Sequence, residues 1–381
     1  MKKVTLIHPF SAKAIGLTEK DLFFSHSKPH EMALREIQTK KIKCNIAYFT
    51  GCIWPFSKKI ETIKKQFWPI STPVFSNKHK WRSQYSLWHY VKNVVKPVDL
   101  TIINMSGHGS KYVFKLARLL KKKEKPYIAM IGGLHMSTKG EALTYYQNAH
   151  HIIVHTHLQK RELTNTDGFE NIDIRVMPLG VDTEKFIPIK NITTTQEINL
   201  LYVGRISRLK QIELAVQTVA ELIKSGKKDV KLNIIGPTSD VTYYQELLVL
   251  IQQLHLTDSV VFIGALKQND IIPYYQKSDL LLLPSAHESF GMVMVEAMAC
   301  GTPVAALKGA GGPDELIQDG INGLLCSKKN FNFRILEFVN SKELQMKMRC
   351  NARMLVEKKW SIVQTVSSLK HSLNLVFQEV N

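Results

Sequence analysis

The sequence predicts an α/β protein with two doubly wound domains, each a mainly parallel sheet with helices on both faces. Three observations predict this class. From Asn199 onward short β-type runs alternate with helical runs, the first half shows a rougher alternation of the same kind, and the stretch between them is rich in Pro, Thr and Asn. Because strands that alternate with helices form βαβ units, both halves indicate parallel sheets.

The first half contains five candidate strands and one clear helix. The strands are VTLI, CNIAYF, LTIINM, PYIAMI and HIIVH, and the helix is KYVFKLARLLKKK. The second half supplies the strands NLLYVG, KLNIIG, VVFIG, LLLLP and PVAAL, with helices over 210–224, over 241–254 and from about Phe290. The domain boundary falls near 180–197, where the sequence is weakly periodic, and SIVQTVSSLKHSLNLVF has the spacing of a final helix.

The net charge of +19 is concentrated in the first third of the chain. Residues 1–130 hold 25 Lys and Arg against 7 Asp and Glu, whereas residues 131–381 hold 26 against 25. Such a basic excess favours an anionic partner, the alternative being a solvated surface without a specific partner. No recognised nucleic-acid module accompanies the charge, so a nucleic acid is not expected.

The cysteines and the apolar runs indicate a cytoplasmic protein. Five scattered cysteines without a Cys-x-x-Cys pair fit a reducing compartment. The first apolar run stops at Ile7, which is too short for a signal peptide, and no run approaches the roughly 18 residues of a membrane-spanning helix. Any membrane contact is therefore expected to be peripheral.

The stretch 287–307, HESFGMVMVEAMACGTPVAAL, contains two glutamates, Glu288 and Glu296, in an otherwise apolar or small run. A strand, a loop and a helix start are predicted here. Free backbone N–H groups at the helix start would seat phosphates; they belong to Ser289, Phe290 and Gly291. At helical spacing the two carboxylates are separated by roughly 12 Å, about the length of a nucleotide diphosphate sugar. One would then bind sugar hydroxyls and the other ribose hydroxyls, the alternative being two solvated carboxylates.

The run PSAHESFGMVMVEAMACGTPVAA resembles the Glu-x7-Glu signature of the retaining nucleotide-sugar glycosyltransferases of family four, which have the two-domain GT-B architecture. Further segments resemble this family in the expected order: PLGVDTEKF at 178–186, VGRISRLK at 203–210, FIGAL at 262–266 and GGPDELIQDGINGLL at 311–325. The resemblance implies that Glu288 contacts the transferred sugar and that Glu296 binds the ribose hydroxyls. It also implies that Phe290 and Gly291 lie along the diphosphate.

The donor diphosphate leaves with growing negative charge, which must be neutralised in the transition state. The chain has no Asp-x-Asp pair to hold a metal. Arg205 and Lys210 match the Arg and Lys that bind the diphosphate in the family, so the resemblance implies transfer without a required metal. Gln211 stands where the family usually has Gly.

Three glycines are expected to bring backbone close to the donor. Gly264, at the end of the strand VVFIG, would offer backbone groups to the base. Gly311 and Gly312 match the family's Gly-Gly-x-x-Glu loop, in which glycines let the backbone approach the sugar. A simple turn before a helix with Pro at its first position is the alternative for that loop.

On the acceptor side, His135 follows the strand PYIAMI, at the strand end where open α/β sheets bind ligands. The resemblance implies that it lies against the transferred sugar. His108, within SGHGS at another strand-to-helix turn, is its rival. The glycine-rich loop that many relatives have after the first strand is missing, and Gly16 is the one glycine of HPFSAKAIGLTEK.

Three histidines, His151, His155 and His157, would share one face of a strand, and three imidazoles could hold zinc. No carboxylate or cysteine nearby completes the set. We therefore predict no metal site and assign these histidines to packing or to the acceptor-binding surface.

The combined prediction is a GT-B retaining glycosyltransferase. Residues 1–185 would bind the acceptor, residues 186–360 would bind the donor, and residues 361–381 would form a helix that packs back on the first domain. The donor would be a UDP- or GDP-sugar and no cofactor would be required. The acceptor would be a hydroxyl of a glycan or glycolipid, in cell-surface polysaccharide, lipopolysaccharide or glycolipid biosynthesis.

The basic segments SKKIETIKK, NKHKWR and KLARLLKKKEK would hold the protein peripherally on anionic lipid, at the inner face of the cell membrane. Two alternatives to glycosyl transfer stay open. One is a nucleotide-sugar 2-epimerase of the same architecture, and the other is a non-catalytic binding subunit that keeps the fold.

Overall fold

The computed structural model describes residues 1–24, 26–71, 81–105, 110–133, 137–189 and 197–379. The chain forms two units. Unit 1 is Met1–Leu179 with Ile362–Asn381, and unit 2 is Gly180–Ser361. Each unit is built on one mainly parallel sheet with helices between its strands, so the α/β class predicted from the sequence is confirmed.

The sheet of unit 1 has eight strands: β1 (Lys2–His8), β2 (Ile42–Thr50), β3 (Phe56–Ile60), β4 (Ile63–Pro69), β5 (Leu100–Met105), β6 (Tyr127–Ile131), β7 (Ile152–Val154) and β8 (Ile174–Val176). Their order is β3-β4-β2-β1-β5-β6-β7-β8, and every neighbouring pair is parallel except the β3–β4 hairpin. The five strand runs predicted for this half lie on β1, β2, β5, β6 and β7. The hairpin was missed because its outer strand, FSKKI, is mostly exposed and lacks an apolar face.

The helices of this part of unit 1 are α1 (Glu19–Phe24), α2 (Lys28–Ile37), α3 (Leu87–Val95), α4 (Lys111–Lys122), α5 (Glu141–Gln147) and α6 (His157–Thr164). Their N-termini are fixed by side-chain caps at several places. Ser110 accepts from the N–H of Val113 at the start of α4, at 3.2 Å. Such a cap satisfies one of the backbone donors that a helix start leaves unpaired.

The sheet of unit 2 has six parallel strands: β9 (Ile198–Val203), β10 (Val230–Ile235), β11 (Val260–Gly264), β12 (Leu280–Leu283), β13 (Val304–Leu307) and β14 (Gly323–Cys326). Their order is β11-β10-β9-β12-β13-β14. The chain therefore builds outward from β9 in one direction and then returns to β12 on its other side. In open α/β sheets ligands bind outside the carboxyl ends of the strands at such a reversal.

The helices of unit 2 are α7 (Ile212–Lys224), α8 (Val241–Gln253), α9 (Gln268–Lys277), α10 (Met292–Ala299), α11 (Gly312–Leu316), α12 (Phe331–Asn340) and α13 (Lys342–Lys359). Strands between two helix layers are buried on both faces, so they are apolar along their whole length. Every residue of β12 (LLLL) and β13 (VAAL) is buried accordingly.

The first boundary between the units lies after Leu179, whereas the sequence placed it after residue 185. The residues that follow Leu179 are fixed to unit 2 by hydrogen bonds. The N–H of Val181 donates to the carbonyl of Trp360 at 2.9 Å, and the guanidinium of Arg353 donates to the carbonyl of Thr183 at 2.9 Å.

The last helix, α14 (Ile362–Glu379), belongs to unit 1 and packs against α2. Its residues Leu369, Leu373 and Val376 are buried in the same apolar core as β1 and β2. The hydroxyl of Thr365 donates to the carbonyl of Pro178 at 2.8 Å. Within the described ranges, none of the helices is long and apolar enough to cross a membrane.

Candidate functional site

Three loops meet at the carboxyl edge of the unit 2 sheet, at the reversal between β9 and β12. The loop after β9 carries Arg205 and Lys210, and the loop after β12 carries Glu288. The loop after β13 lies beside the second of these, because Glu288 forms a parallel bridge with Gly311. The arrangement follows from the strand order, since β9, β12 and β13 are neighbours in the sheet.

An ion pair at this edge joins Lys210 to Glu288. The ammonium Nζ lies 2.5 Å from the carboxylate Oε2, and the two side chains are only 15% and 16% exposed. A charged pair that is mostly shielded from water interacts more strongly than a surface pair. The structure thus brings together two residues that the sequence analysis assigned to different parts of the donor.

Gln211, directly after Lys210, stands where the family that the sequence resembles usually has Gly. Its φ is +46°, in the left-handed region that favours glycine, and it precedes the first residue of α7. The loop therefore keeps the backbone turn for which the family uses Gly. The side-chain Oε1 of Gln211 is buried and has no hydrogen-bond partner among the described residues.

The two arginines of this loop differ in their surroundings. Arg205 is exposed and makes no ion pair within the part of the chain that the structure describes. Arg208 is bound to Glu246, with Nη2 2.7 Å from Oε1, and its guanidinium lies 5.4 Å from the centre of the Tyr243 ring. Arg205 is thus available for an anionic ligand, whereas Arg208 already has a carboxylate.

The loops after β12 and β13 are joined by a pair of backbone hydrogen bonds. The N–H of Glu288 donates to the carbonyl of Ala310, and the N–H of Gly312 donates to the carbonyl of Glu288, both at 2.7 Å. A side chain at position 312 could not fit, because its Cβ would lie 2.2 Å from the carbonyl oxygen of Phe290. In this structure Gly312 allows two loops to approach each other.

Asp314 shapes the loop after β13 and was missed by the sequence analysis. Its carboxylate accepts from the N–H of Gly309 at 2.9 Å and from the N–H of Gly311 at 3.0 Å. The alternative interpretation, a turn before a helix with Pro at its start, describes the local geometry, since α11 begins at Gly312 with Pro313 in its first turn. An Asp three residues into a predicted helix start is the signal that could have identified this cap.

The helix after Glu288 begins at Met292 rather than near Phe290. Glu288 therefore lies in a loop, and the predicted spacing of roughly 12 Å at helical rise does not apply. Phe290 is 4% exposed and its ring packs edge-on against Trp360, with 5.4 Å between centroids. Its side chain is part of the core, so only its backbone can face a ligand.

The backbone N–H groups before α10 are available for an anion. Those of Ser289, Phe290 and Gly291 have no hydrogen-bond acceptor among the described residues. Gly291 adopts φ +90°, and a Cβ there would lie 2.3 Å from the methyl carbon of Met294. Unpaired N–H groups at a helix start carry partial positive charge and bind anions.

Glu296 lies on α10 and is 7% exposed. Its Oε1 accepts from Gln268 Nε2 at 2.6 Å, and its Oε2 accepts from the hydroxyl of Tyr275 at 2.9 Å. Burial raises the pKa of this carboxyl above its usual range, although both hydrogen bonds oppose the shift. Gln268 in turn accepts from Lys185 Nζ at 3.0 Å. No sequence signal linked Gln268 or Tyr275, both on α9, to this glutamate.

Gly264 ends β11 with φ +86° and has open space where a Cβ would be. Its carbonyl accepts from the N–H of Gly236 at 2.9 Å. On the acceptor side, Gly16 follows a short 3₁₀ turn after β1, with φ +73°. His135 and His108 lie outside the described residues, so their predicted roles stay predictions.

The three histidines that alternate in the sequence do not share a strand. Strand β7 ends at Val154, and α6 begins at His157 after the cap Thr156. His155 is buried, its Nδ1 lies 3.0 Å from the carbonyl oxygen of Met177, and burial lowers its pKa to about 4. No group of three or more potential metal ligands occurs in the described ranges.

Comparison with known proteins finds relatives for the second half of the chain. Residues 182–354 match the family described as glycosyl transferases group 1. The match covers less than half of the chain. The D-inositol 3-phosphate glycosyltransferase of Acidothermus cellulolyticus is 32% identical over 189 residues, which cover 46% of this chain and 42% of the relative. The chain thus spans less than half the length of this curated relative.

Solved structures resemble the whole chain. Sucrose-phosphate synthase from Thermosynechococcus elongatus superposes with a TM-score of 0.76 at 16% identity, covering 100% of both chains. Anabaena HepE in complex with UDP superposes with a TM-score of 0.74 at 17% identity, covering 98% of this chain and 100% of HepE. Together with the two parallel-sheet units, these likenesses confirm the GT-B class predicted from the sequence.

Proposed function

We propose that the protein is a retaining glycosyltransferase that moves a sugar from a UDP- or GDP-sugar to a hydroxyl of a glycan or glycolipid. The observation that carries the proposal is the shielded Lys210–Glu288 pair at the carboxyl edge of β9 and β12. It combines one cation and one carboxylate at the position where open α/β sheets bind nucleotides.

The donor diphosphate would lie between the loop after β9 and the start of α10. Arg205 and Lys210 would neutralise the charge that grows on the leaving group, and the free N–H groups of 289–291 would donate hydrogen bonds to its oxygens. Lys210 would leave Glu288 to reach the phosphate. Glu288 would then be free to accept hydrogen bonds from the hydroxyls of the sugar.

The nucleoside would lie on the other side of the diphosphate. Glu296 is oriented by Gln268 and Tyr275, and each carboxylate oxygen retains a further lone pair that can accept from a ribose hydroxyl. Gly264 would offer backbone groups to the base. HepE of Anabaena, crystallised with UDP and with UDP-glucose, supports a nucleotide-sugar donor for this architecture.

The acceptor would be bound by unit 1. The roles proposed for His135, contact with the transferred sugar, and for His108 and Gly16, contact with the acceptor, rest on the sequence. The charge of residues 1–130 supports peripheral association with anionic membrane at its cytoplasmic face. Transfer would need no metal or other cofactor, since Arg205 and Lys210 supply the fixed positive charge.

A thermal-shift panel tests the donor site. UDP-sugars, GDP-sugars and the free nucleotides would be added to wild type, Arg205→Ala and Arg208→Ala, with and without EDTA. We expect one nucleotide class to raise the melting temperatures of wild type and Arg208→Ala equally, with and without EDTA. The same nucleotides should not raise the melting temperature of Arg205→Ala. The Arg208→Ala control removes the same charge from an arginine that already has a carboxylate partner.

No stabilisation by any nucleotide would overturn the proposal. If a donor binds, the anomeric configuration of the product tests retention. Release of free nucleotide without any acceptor, together with an epimerised sugar, would replace transfer by 2-epimerisation.

A further inference from the structure

Helix α3 (Leu87–Val95) is amphipathic, but its polar side is buried and its apolar side is exposed. Its buried positions are the polar residues His89 and Asn93. Its exposed side is apolar and consists of Leu87, Trp88, Val91, Val94 and Val95. A surface helix of a water-soluble domain normally buries its apolar side, so an exposed apolar stripe indicates a further binding partner.

The exposed stripe continues into the loop after β2. Ile53 is 80% exposed and Trp54 is 68% exposed. The rings of Trp54 and Trp88 are in contact, with 5.8 Å between their centroids. Ile53, Trp54 and the five exposed residues of α3 therefore form one surface, which we call the tryptophan face.

The buried polar side fixes α3 in this orientation. His89 Nδ1 is hydrogen-bonded to the hydroxyl of Tyr112, and the amide of Asn93 donates to the carbonyl of His89 at 2.8 Å. The ring of Trp68, on β4, packs against the His89 ring at 5.3 Å. A rotation that buried the valines would remove these contacts and expose the polar groups, so the apolar exposure is built into the fold.

The surroundings of the tryptophan face are strongly basic. Apart from the buried Lys65, residues 51–71 and 81–98 contain six Lys and Arg and one acidic residue, Glu61, which forms an ion pair with Arg35. A groove of about 320 Å³ beside the β3–β4 hairpin is lined by four lysines, Lys43, Lys58, Lys59 and Lys64. Anions are therefore attracted to this part of unit 1.

Three of the groove lysines, Lys43, Lys59 and Lys64, lie on the same face of the sheet as α3, whereas Lys58 pairs with Lys65 and points to the other face. Successive side chains of a strand point to opposite faces, so Lys64 and Trp68, four residues apart on β4, point to the same one. Trp68 contacts α3 through His89. The tryptophan face and these lysines can thus contact one flat anionic partner at the same time.

We propose that the tryptophan face inserts into the interfacial region of an anionic bilayer while the groove lysines bind lipid phosphates. Tryptophan is favoured at the boundary between hydrocarbon and water, and lysines near it bind the anionic headgroups. A second copy of this chain is the less favourable occupant, because it would bring two lysine-rich surfaces together. The surface begins at the end of β2, at the carboxyl edge of the unit 1 sheet, so docking brings that edge to the membrane. Docking would bring this edge close to an acceptor held in the membrane; the existence of such an acceptor rests on the proposed function.

Vesicle flotation tests the docking surface. Wild type, Trp54→Ala/Trp88→Ala and the control Phe333→Ala would be mixed with vesicles of phosphatidylcholine, with or without phosphatidylglycerol. Phe333 is 60% exposed on α12 of unit 2, so the control removes an exposed aromatic ring elsewhere. We expect wild type and Phe333→Ala to float with the anionic vesicles at moderate salt, and the double variant to bind at least tenfold more weakly.

Two readouts separate this proposal from the proposed function. Both tryptophans are exposed, so the double variant should keep the wild-type melting temperature and its stabilisation by the donor nucleotide. Failure of wild type to float, or flotation of the double variant at the wild-type level, would overturn the docking surface even if the donor binds. A wild-type dimer that the double substitution dissociates would also overturn it, since a second copy would then cover the face. Flotation that depends on both tryptophans would support it even if no nucleotide binds.

Discussion

Replacement of Glu288 by glutamine tests the competition between this carboxylate and the donor diphosphate for Lys210. In the structure Lys210 lies 2.5 Å from Glu288, and both side chains are mostly shielded from solvent. A ligand phosphate must therefore displace the carboxylate before it can bind the ammonium group. Glutamine has nearly the same size but no charge, so it weakens the competitor and leaves the loop intact.

The general strength of a hydrogen bond to a charged group sets the magnitude of this effect. A hydrogen bond to a charged group contributes about 1.5–3 kcal/mol, and about 1.4 kcal/mol corresponds to a tenfold change in affinity. The glutamine carbonyl still accepts from Lys210, which keeps the gain at the lower end of that range. We therefore expect Glu288→Gln to bind free UDP or GDP about tenfold more tightly than wild type, and to transfer sugar more slowly.

Isothermal titration calorimetry with free UDP and GDP measures this change. Glu357→Gln on α13 is the control, because it changes the net charge equally and also removes a carboxylate from an ion pair, with Arg353. In a Lys210→Met background the substitution at Glu288 should have no effect on affinity. Unchanged or weaker nucleotide binding by Glu288→Gln, or a gain that persists without Lys210, would refute the reasoning.

Three further predictions concern stability. Glu31→Gln should lower the free energy of unfolding, measured by urea denaturation, by about 3–5 kcal/mol. The reason is that Lys65, which is fully buried and lies 2.6 Å from Glu31, loses its charged partner. The double variant Glu31→Leu/Lys65→Met should recover most of this loss. Burial lowers the pKa of His155 to about 4, so the unfolded chain binds one more proton between pH 6.5 and 4. His155 should then contribute about 1.4 kcal/mol to the fall in the free energy of unfolding for each pH unit of acidification in this window, in addition to the contribution of other buried histidines such as His26, and His155→Gln should remove that share of the slope. Gly312→Ala should destabilise the protein by about 1–3 kcal/mol in the same urea assay, since its Cβ would lie 2.2 Å from the carbonyl oxygen of Phe290; wild-type stability would contradict the proposed loop contact.

Most strands and several helices could be predicted because hydrophobic runs of the right length are a local property. The run LLLLP lies on β12, and KYVFKLARLLKKK lies on α4 with a difference of one residue at its end. The β3–β4 hairpin was missed because its lysines interrupt the hydrophobic run on which such a prediction depends. One of those lysines, Lys65, was counted among the membrane-binding residues, yet it is fully buried against Glu31. A lysine in a basic run gives no sign that a carboxylate distant in the sequence will pair with it.

The residues of the candidate site were likewise predictable only in part. The resemblance to the family, carried by motifs in a fixed order and spacing, predicted roles for Arg205, Lys210, Glu288 and Glu296. The hydrogen bonds of Glu296 depend on α9, which supplies Gln268 and Tyr275 from positions that no motif distinguishes.

The sequence by itself determined the α/β class, the order of the elements and the charged residues that follow the strands of unit 2. Only the tertiary structure decided that Lys210 pairs with Glu288 across 78 positions and that α3 turns its apolar side outward. Helical periodicity states which residues share a face of a helix, because that depends on local geometry alone. Which face is covered depends on what the rest of the chain packs against it.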